Sequence, residues 1–251
     1  ENPFRSIEDL KRLRPLDPDS DTPYVLETIQ LLVEELAVPL IGFAGAPFTL
    51  ASYLIEGAPS RTYTKTKALM MNDPELWDSL MSRLVEIVIS SLRSQISAGV
   101  SAIQLFDSWA GALSPSAYER FVLPYTKEIF SSIQNEEVPT VHFGVGTGEI
   151  LHLMASAGSS VMGVDWRTPL DVARDRLGSE VALQGNLDPA ICFASENAIS
   201  TEVRNILEKN AGHPGHIFNL GHGVLPETDP KVLERIVEQV HSYPLNSAEM
   251  K

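Results

Sequence analysis

Phe218-Asn219-Leu220-Gly221-His222-Gly223-Val224 reads as a buried strand that stops abruptly at Gly-His-Gly. The two glycines let the backbone turn sharply and pass close to a ligand, and they leave one imidazole projecting from the strand end. Asp229-Pro230 follows as an N-cap and N1 pair, so a helix starts there. A strand, a polar loop at its C-terminal end and then a helix form an active-site edge in α/β proteins. His222 serves equally well as an ordinary turn residue, and this stretch alone does not decide between the two.

The same unit recurs along the chain. Apolar runs at 39–43, 102–106, 138–143, 160–164 and 181–184 read as strands. They leave through Ala44-Gly45-Ala46-Pro47, Asp107-Ser108-Trp109-Ala110-Gly111, Gly144-Val145-Gly146-Thr147-Gly148, Asp165-Trp166 and Gly185-Asn186-Leu187-Asp188-Pro189. Between them lie helical patterns. Thr22-Pro23 opens one carrying Tyr24, Val25, Ile29, Leu32, Val33 and Leu36. Asp73-Pro74 opens a long one carrying Leu76, Trp77, Leu80, Leu84, Val88 and Leu92, closed by Gly99. Ser114-Pro115 opens another, which Pro124 is expected to kink or split. Near-continuous apolar strands mark a parallel sheet covered on both faces. Six such units predict an α/β fold with one active face at the strand C-termini, in a barrel or an open sheet. No linker divides them, so residues 1–251 are expected to be one domain. The polar, Pro/Asp-rich residues 1–22 are expected to be a surface connector.

Composition narrows the function. The chain has 251 residues, 43% hydrophobic and 21% charged, and no run of 18 apolar residues predicts a membrane span. Its net charge of −14, with no basic stripe, argues against nucleic acid as a partner and sits awkwardly with an anionic substrate. Cys192 is the sole cysteine, which excludes an internal disulfide and a cysteine-based zinc cluster and fits a reducing, cytoplasmic compartment. The histidines at 142, 152, 213, 216, 222 and 241 have no metal-binding spacing, and no metal is expected. His213 and His216, in a Pro/Gly loop, are expected to be solvated. The chain starts at Glu1 rather than Met, so it is expected to begin inside a longer polypeptide.

Two sets of residues carry candidate chemistry. Val141 to Glu149, with its three glycines, followed by Asp165, looks like the glycine loop and ribose-binding acid of class I S-adenosylmethionine methyltransferases. The other set is Tyr53, Ser108 and His222. Singly, each has a plain structural role as a core-edge tyrosine, a turn cap or a turn histidine. All three lie near strand exits, however, and would converge on one mouth.

Taken together, Leu40-Ile-Gly-Phe-Ala-Gly-Ala-Pro-Phe-Thr49, Tyr53-Leu-Ile-Glu-Gly57, Gly163-Val-Asp-Trp166, Leu183-Gln-Gly-Asn-Leu-Asp-Pro189 and Asn219-Leu-Gly-His-Gly223 closely resemble the signature blocks of the uroporphyrinogen decarboxylase family. The resemblance covers essentially the whole chain in family order. It implies a (β/α)8 TIM-type barrel, with about six of eight units in this sequence. It also implies cofactor-free removal of CO2 from four acetate arms of uroporphyrinogen III, giving coproporphyrinogen III in tetrapyrrole biosynthesis, by a homodimer. In that family Tyr53 matches a cleft tyrosine that supports a catalytic aspartate, Ser108 and His222 match residues that hold substrate carboxylates, and Phe43 matches a cleft-lining residue.

The family's arginine-rich N-terminal segment and the aspartate beneath the macrocycle have no counterpart here. The expectation is therefore a C-terminal part of a longer enzyme, inactive by itself. Ala58 stands where many members continue Gly-Gly, so the loop there is expected to be stiffer. Related corrinoid-linked methyltransferases place a zinc-binding His-x-Cys where this chain has His142-Phe143-Gly144, and without the thiolate that site is not expected. A non-catalytic truncated-barrel module stays open as an alternative, as does the class I methyltransferase.

Overall fold

The computed structural model describes residues 2–58, 60–210 and 212–244, so Glu1, where the expected connector begins, lies outside them. Six strands, β1 (Ile41–Gly45), β2 (Ala102–Phe106), β3 (Thr140–Phe143), β4 (Val161–Gly163), β5 (Ala182–Gln184) and β6 (His216–Ile217), pair in parallel in strict chain order. The helices are α1 (Pro18–Asp21), α2 (Pro23–Glu35), α3 (Pro47–Glu56), α4 (Thr64–Asn72), α5 (Pro74–Ser97), α6 (Pro115–Phe121), α7 (Leu123–Ile133), α8 (Leu151–Ala155), α9 (Leu170–Leu177), α10 (Glu196–Lys209) and α11 (Pro230–Ser242). A singly wound parallel sheet alternating with helices is the arrangement of a TIM-type barrel, present here as six of its units.

The sheet is strongly curled. Gln184 on β5 donates from Nε2 to Gln104 Oε1 on β2 at 3.1 Å, and both side chains are buried. In a flat sheet these strands would stand three spacings apart, roughly 14 Å. The bond therefore crosses the barrel interior, and the strands' C-terminal ends face a common space.

Helix α5 forms as its pattern predicts. Asp73 caps it by accepting from Leu76 N at 3.0 Å, and Leu76, Trp77, Leu80, Leu84, Val88 and Leu92 are all buried. The next helix is broken between α6 and α7 at Val122, with Pro124 in the first turn of α7.

Three features differ from the sequence reading. The stretch 218–224 is not a buried strand. β6 ends at Ile217, its ladder continues only irregularly to the Leu187–Leu220 bridge, and Ile217 is 45% exposed because β5 is its sole strand neighbour among the described residues. Helix α3, which carries Tyr53, and helix α4 were not anticipated; α4 buries only Thr66 and Met70 and carries no clear apolar stripe. His216 is not solvated: its Nε2 lies 2.8 Å from Gly185 O, and burial pushes its pKa down. Residues 2–22, read as a surface connector, are tied to α3 and α5. Phe4 is buried and donates from its backbone N to Leu54 O at 2.8 Å, while Arg83 and Ser90 of α5 bond Leu13 O and Leu16 O.

Beneath the β2 exit lies a buried polar pair. Asp107 Oδ1 accepts from Thr49 Oγ1 at 3.0 Å, and Asp107 Oδ2 stands 4.0 Å from His142 Nε2. His142 Nδ1 is 3.3 Å from Met154 O, and since a carbonyl only accepts, Nδ1 carries the proton. Burial pushes Asp107 up to about 7 and His142 down to about 4, so near pH 5.5 both are neutral and no ion pair is buried.

These two groups act oppositely on stability. The raised Asp107 pKa contributes stability that is lost as pH rises from about 4 towards 7, and the lowered His142 pKa contributes stability that is lost as pH falls from 6.5 towards 4. In the parent they nearly cancel between pH 4 and 6.5. Asp107→Asn leaves the histidine, so stability should rise with pH across that window by up to about 1.4 kcal/mol per unit. His142→Leu leaves the acid, so stability should fall instead. Urea unfolding at several pH values measures both slopes, and parallel slopes in the two variants would contradict the account. The cross-barrel bond makes a second prediction. Gln184→Leu strands Gln104 and should cost about 1–3 kcal/mol, whereas Gln104→Leu with Gln184→Leu should recover much of it, as a double-mutant cycle would show.

Candidate functional site

Aromatic rings at the strand exits form a continuous run. Phe43 on β1 meets Phe106 on β2 edge-on at 5.7 Å between centroids, and Phe106 meets Phe143 on β3 at 5.9 Å. Phe143 then meets His222, beyond β6, at 6.4 Å, and His222 stands perpendicular to Trp166, beyond β4, at 5.9 Å. Contact between β3 and the β6 exit again requires the curled sheet. Phe43 is 62% exposed yet fixed in position, because its backbone N donates to Gln95 Oε1 and its carbonyl accepts from Gln95 Nε2, both at 2.9 Å.

A second group adjoins the β2 exit. Tyr53 stacks on Trp109 at 4.0 Å, and Tyr63 packs against the same indole at 5.1 Å. Thr49 Oγ1, which donates to Asp107, also accepts from Trp109 N at 3.4 Å, tying α3 to this exit. Ser108 lies half-buried between Asp107 and Trp109. The structure thus brings Tyr53 to Ser108 through Trp109, and Phe43 to His222 through Phe106 and Phe143. Phe106 directly precedes Asp107-Ser108, so the two groups share the β2 exit. Tyr53 and His222 have no described contact with each other.

The β4 exit is held from three sides. Asp165, almost fully buried, accepts from Gly146 N at 2.7 Å and from Arg167 Nη1 at 2.8 Å. Asn186 Nδ2 donates to Asp165 O and Thr168 O at 2.9 and 2.6 Å. Gly221 packs so closely that a Cβ there would collide with Trp166 N, so a glycine beside His222 is required by contact rather than by an unusual φ. Asp165 is therefore consumed by internal partners and is not presented to ribose hydroxyls, which removes the footing of the class I methyltransferase reading. His142 points into the core at 0% exposure, away from any open coordination position. Among the described residues, no cluster of three His, Cys, Asp or Glu could hold a metal ion.

The sequence reading missed Phe106, Phe143, Trp166 and Arg167 as members of this surface. Trp166-Arg167 immediately follows a recognised strand exit, and that position was the available signal.

The family model described as Uroporphyrinogen decarboxylase (URO-D) matches residues 1–243. A uroporphyrinogen decarboxylase of Salinispora tropica is 59% identical over 241 residues, covering 96% of this chain and 65% of that protein. One of Streptomyces coelicolor is 57% identical over 241 residues, covering 96% and 68%. The chain thus spans about two thirds of the length of these relatives. Among solved structures, a methyltransferase from Methanosarcina mazei superposes with a TM-score of 0.75 at 22% identity, over 87% of this chain and 64% of that one. A B12-independent methionine synthase from Shewanella sp. W3-18-1 superposes with a TM-score of 0.60 at 12% identity, over 86% and 64%. At those identities the likeness is one of fold alone. On the match over residues 1–243 and the identity to these relatives, the chain belongs to the uroporphyrinogen decarboxylase family.

Proposed function

We propose that this chain supplies most of the barrel of a uroporphyrinogen decarboxylase, a cofactor-free carboxy-lyase that takes the four acetate arms of uroporphyrinogen III to methyl groups. The observation that carries the reading is the run of rings from Phe43 to His222 across the strand exits. A broad aromatic surface suits a macrocycle of pyrroles, and polar side chains at its border suit that macrocycle's carboxylates.

Decarboxylation of such an arm needs an electron sink. Protonation of the ring α carbon next to the acetate-bearing carbon makes the ring a conjugated cation. The carbon–carboxylate bond breaks with its electron pair forming an exocyclic methylene conjugated into the ring, and CO2 leaves. A proton adds to the methylene to give the methyl group, and loss of the first proton from the α carbon restores the pyrrole. A fixed negative charge near the pyrrole stabilises the cation. In this reading Ser108 and His222 donate to carboxylates of the substrate, Tyr53 orients the carboxylate that faces the pyrrole, and Phe43 lines the cleft. The reading includes a homodimer, a cytoplasmic setting and no nucleic-acid partner. No helix among the described residues is long and apolar enough to cross a membrane.

The test uses the full-length enzyme that contains this chain, with uroporphyrinogen III as substrate and coproporphyrinogen III, oxidised to its fluorescent porphyrin, as readout. Tyr53→Phe should lower kcat about fivefold, roughly 1 kcal/mol, and His222→Asn should raise KM by a similar factor. Parent-like kinetics in both variants would refute the site.

A further inference from the structure

The chain carries 33 acidic against 19 basic residues, yet the proposed substrate is a polyanion. A cation at the mouth would suit its carboxylates. Arg167 stands there in an unusual state for an exposed arginine. Its guanidinium lies over the Trp166 ring, 3.8 Å from the ring centroid, and Nη1 is tied to the buried Asp165 at 2.8 Å, while the side chain remains 51% exposed. Its own backbone N also donates to Asp165 Oδ1 at 3.3 Å. The head group is therefore oriented before any ligand arrives, so little rotamer entropy remains to be lost. No described group accepts from Nε or Nη2, which leaves a forked pair of donors able to take a carboxylate in a bidentate manner.

Its neighbours define where such a carboxylate would lie. Trp166 carries Arg167 on its ring and meets His222 edge-on, so guanidinium and imidazole flank one indole. Other cations near this face are engaged: Lys67 Nζ donates to Ala112 O at 2.6 Å, and Arg176 bonds Gly148 O and Glu149. We propose that Arg167, stacked on Trp166 and anchored by Asp165, is a carboxylate-binding residue of this mouth, holding one acidic arm of the macrocycle beside His222. The inference rests on the function proposed above and adds a specificity determinant to it. The indole is the platform and the buried aspartate the anchor. The aspartate neutralises part of the arginine's charge, yet fixes the remaining N–H groups towards solvent.

The test again uses the full-length enzyme. Arg167→Gln should raise KM for uroporphyrinogen about tenfold with kcat within twofold, and Arg167→Lys, which keeps charge but loses the fork and the stack, should fall between Gln and parent. Added salt should raise the parent's KM more steeply than that of Arg167→Gln, because one charged contact has been removed. Melting temperatures of the same variants separate this from a folding effect, since Asp165 loses a partner in both. An unchanged KM in Arg167→Gln, or Gln and Lys variants that behave alike and follow their losses in melting temperature, would overturn the assignment. A parent enzyme unable to convert uroporphyrinogen would instead overturn the function on which it rests.

Discussion

The hydrogen bond between Gln104 and Gln184 states the condition on which everything at the strand exits depends. Two amides on strands three places apart meet only if the sheet has curled around them. Once it has, side chains that a flat sheet would scatter over roughly 24 Å, five strand spacings, face one opening. The bond also explains why polar residues are tolerated there. Each amide has the other as a partner, and buried amides without partners cost more than the bond returns.

The loops at the opening are built on the same logic of mutual satisfaction. Asp165 is buried but accepts from two loops, Asn186 binds the carbonyl behind it, and Gly221 admits the Trp166 backbone. The result is a rim whose shape is set by neighbours rather than by its own sequence. Beneath it, Asp107 and His142 resolve their burial differently, by both becoming neutral. The two buried acids thus differ: Asp107 is neutral beside a neutral histidine near pH 5.5, whereas Asp165 is paired with the exposed head group of Arg167.

Much of the fold was legible because local chemistry agreed with it. Asp73, Ser114 and Asp229 all accept from the backbone of the helices they precede, as their positions before Pro suggested. The strands were legible as apolar runs because most are covered on both faces. β6 was not, since its exposure depends on what pairs beside it and not on its residues. Helix α4 was missed because buried threonine leaves no apolar period. Of the site, Tyr53, Ser108 and His222 could be named from resemblance and position, but the rings joining them could not. Phe106 and Phe143 look like any core residue until the sheet curls, and the place of Arg167 depends on a stack against its neighbour.

The central claim is that separate strand exits make one surface for an acid-bearing macrocycle. A crystal structure of the full-length enzyme with coproporphyrinogen bound tests it directly. The account predicts the macrocycle over Phe43, Phe106 and Phe143, with carboxylates within hydrogen-bond reach of Ser108, His222 and Arg167. A macrocycle seated at the opposite ends of the strands, or outside the barrel against the helices, would contradict it.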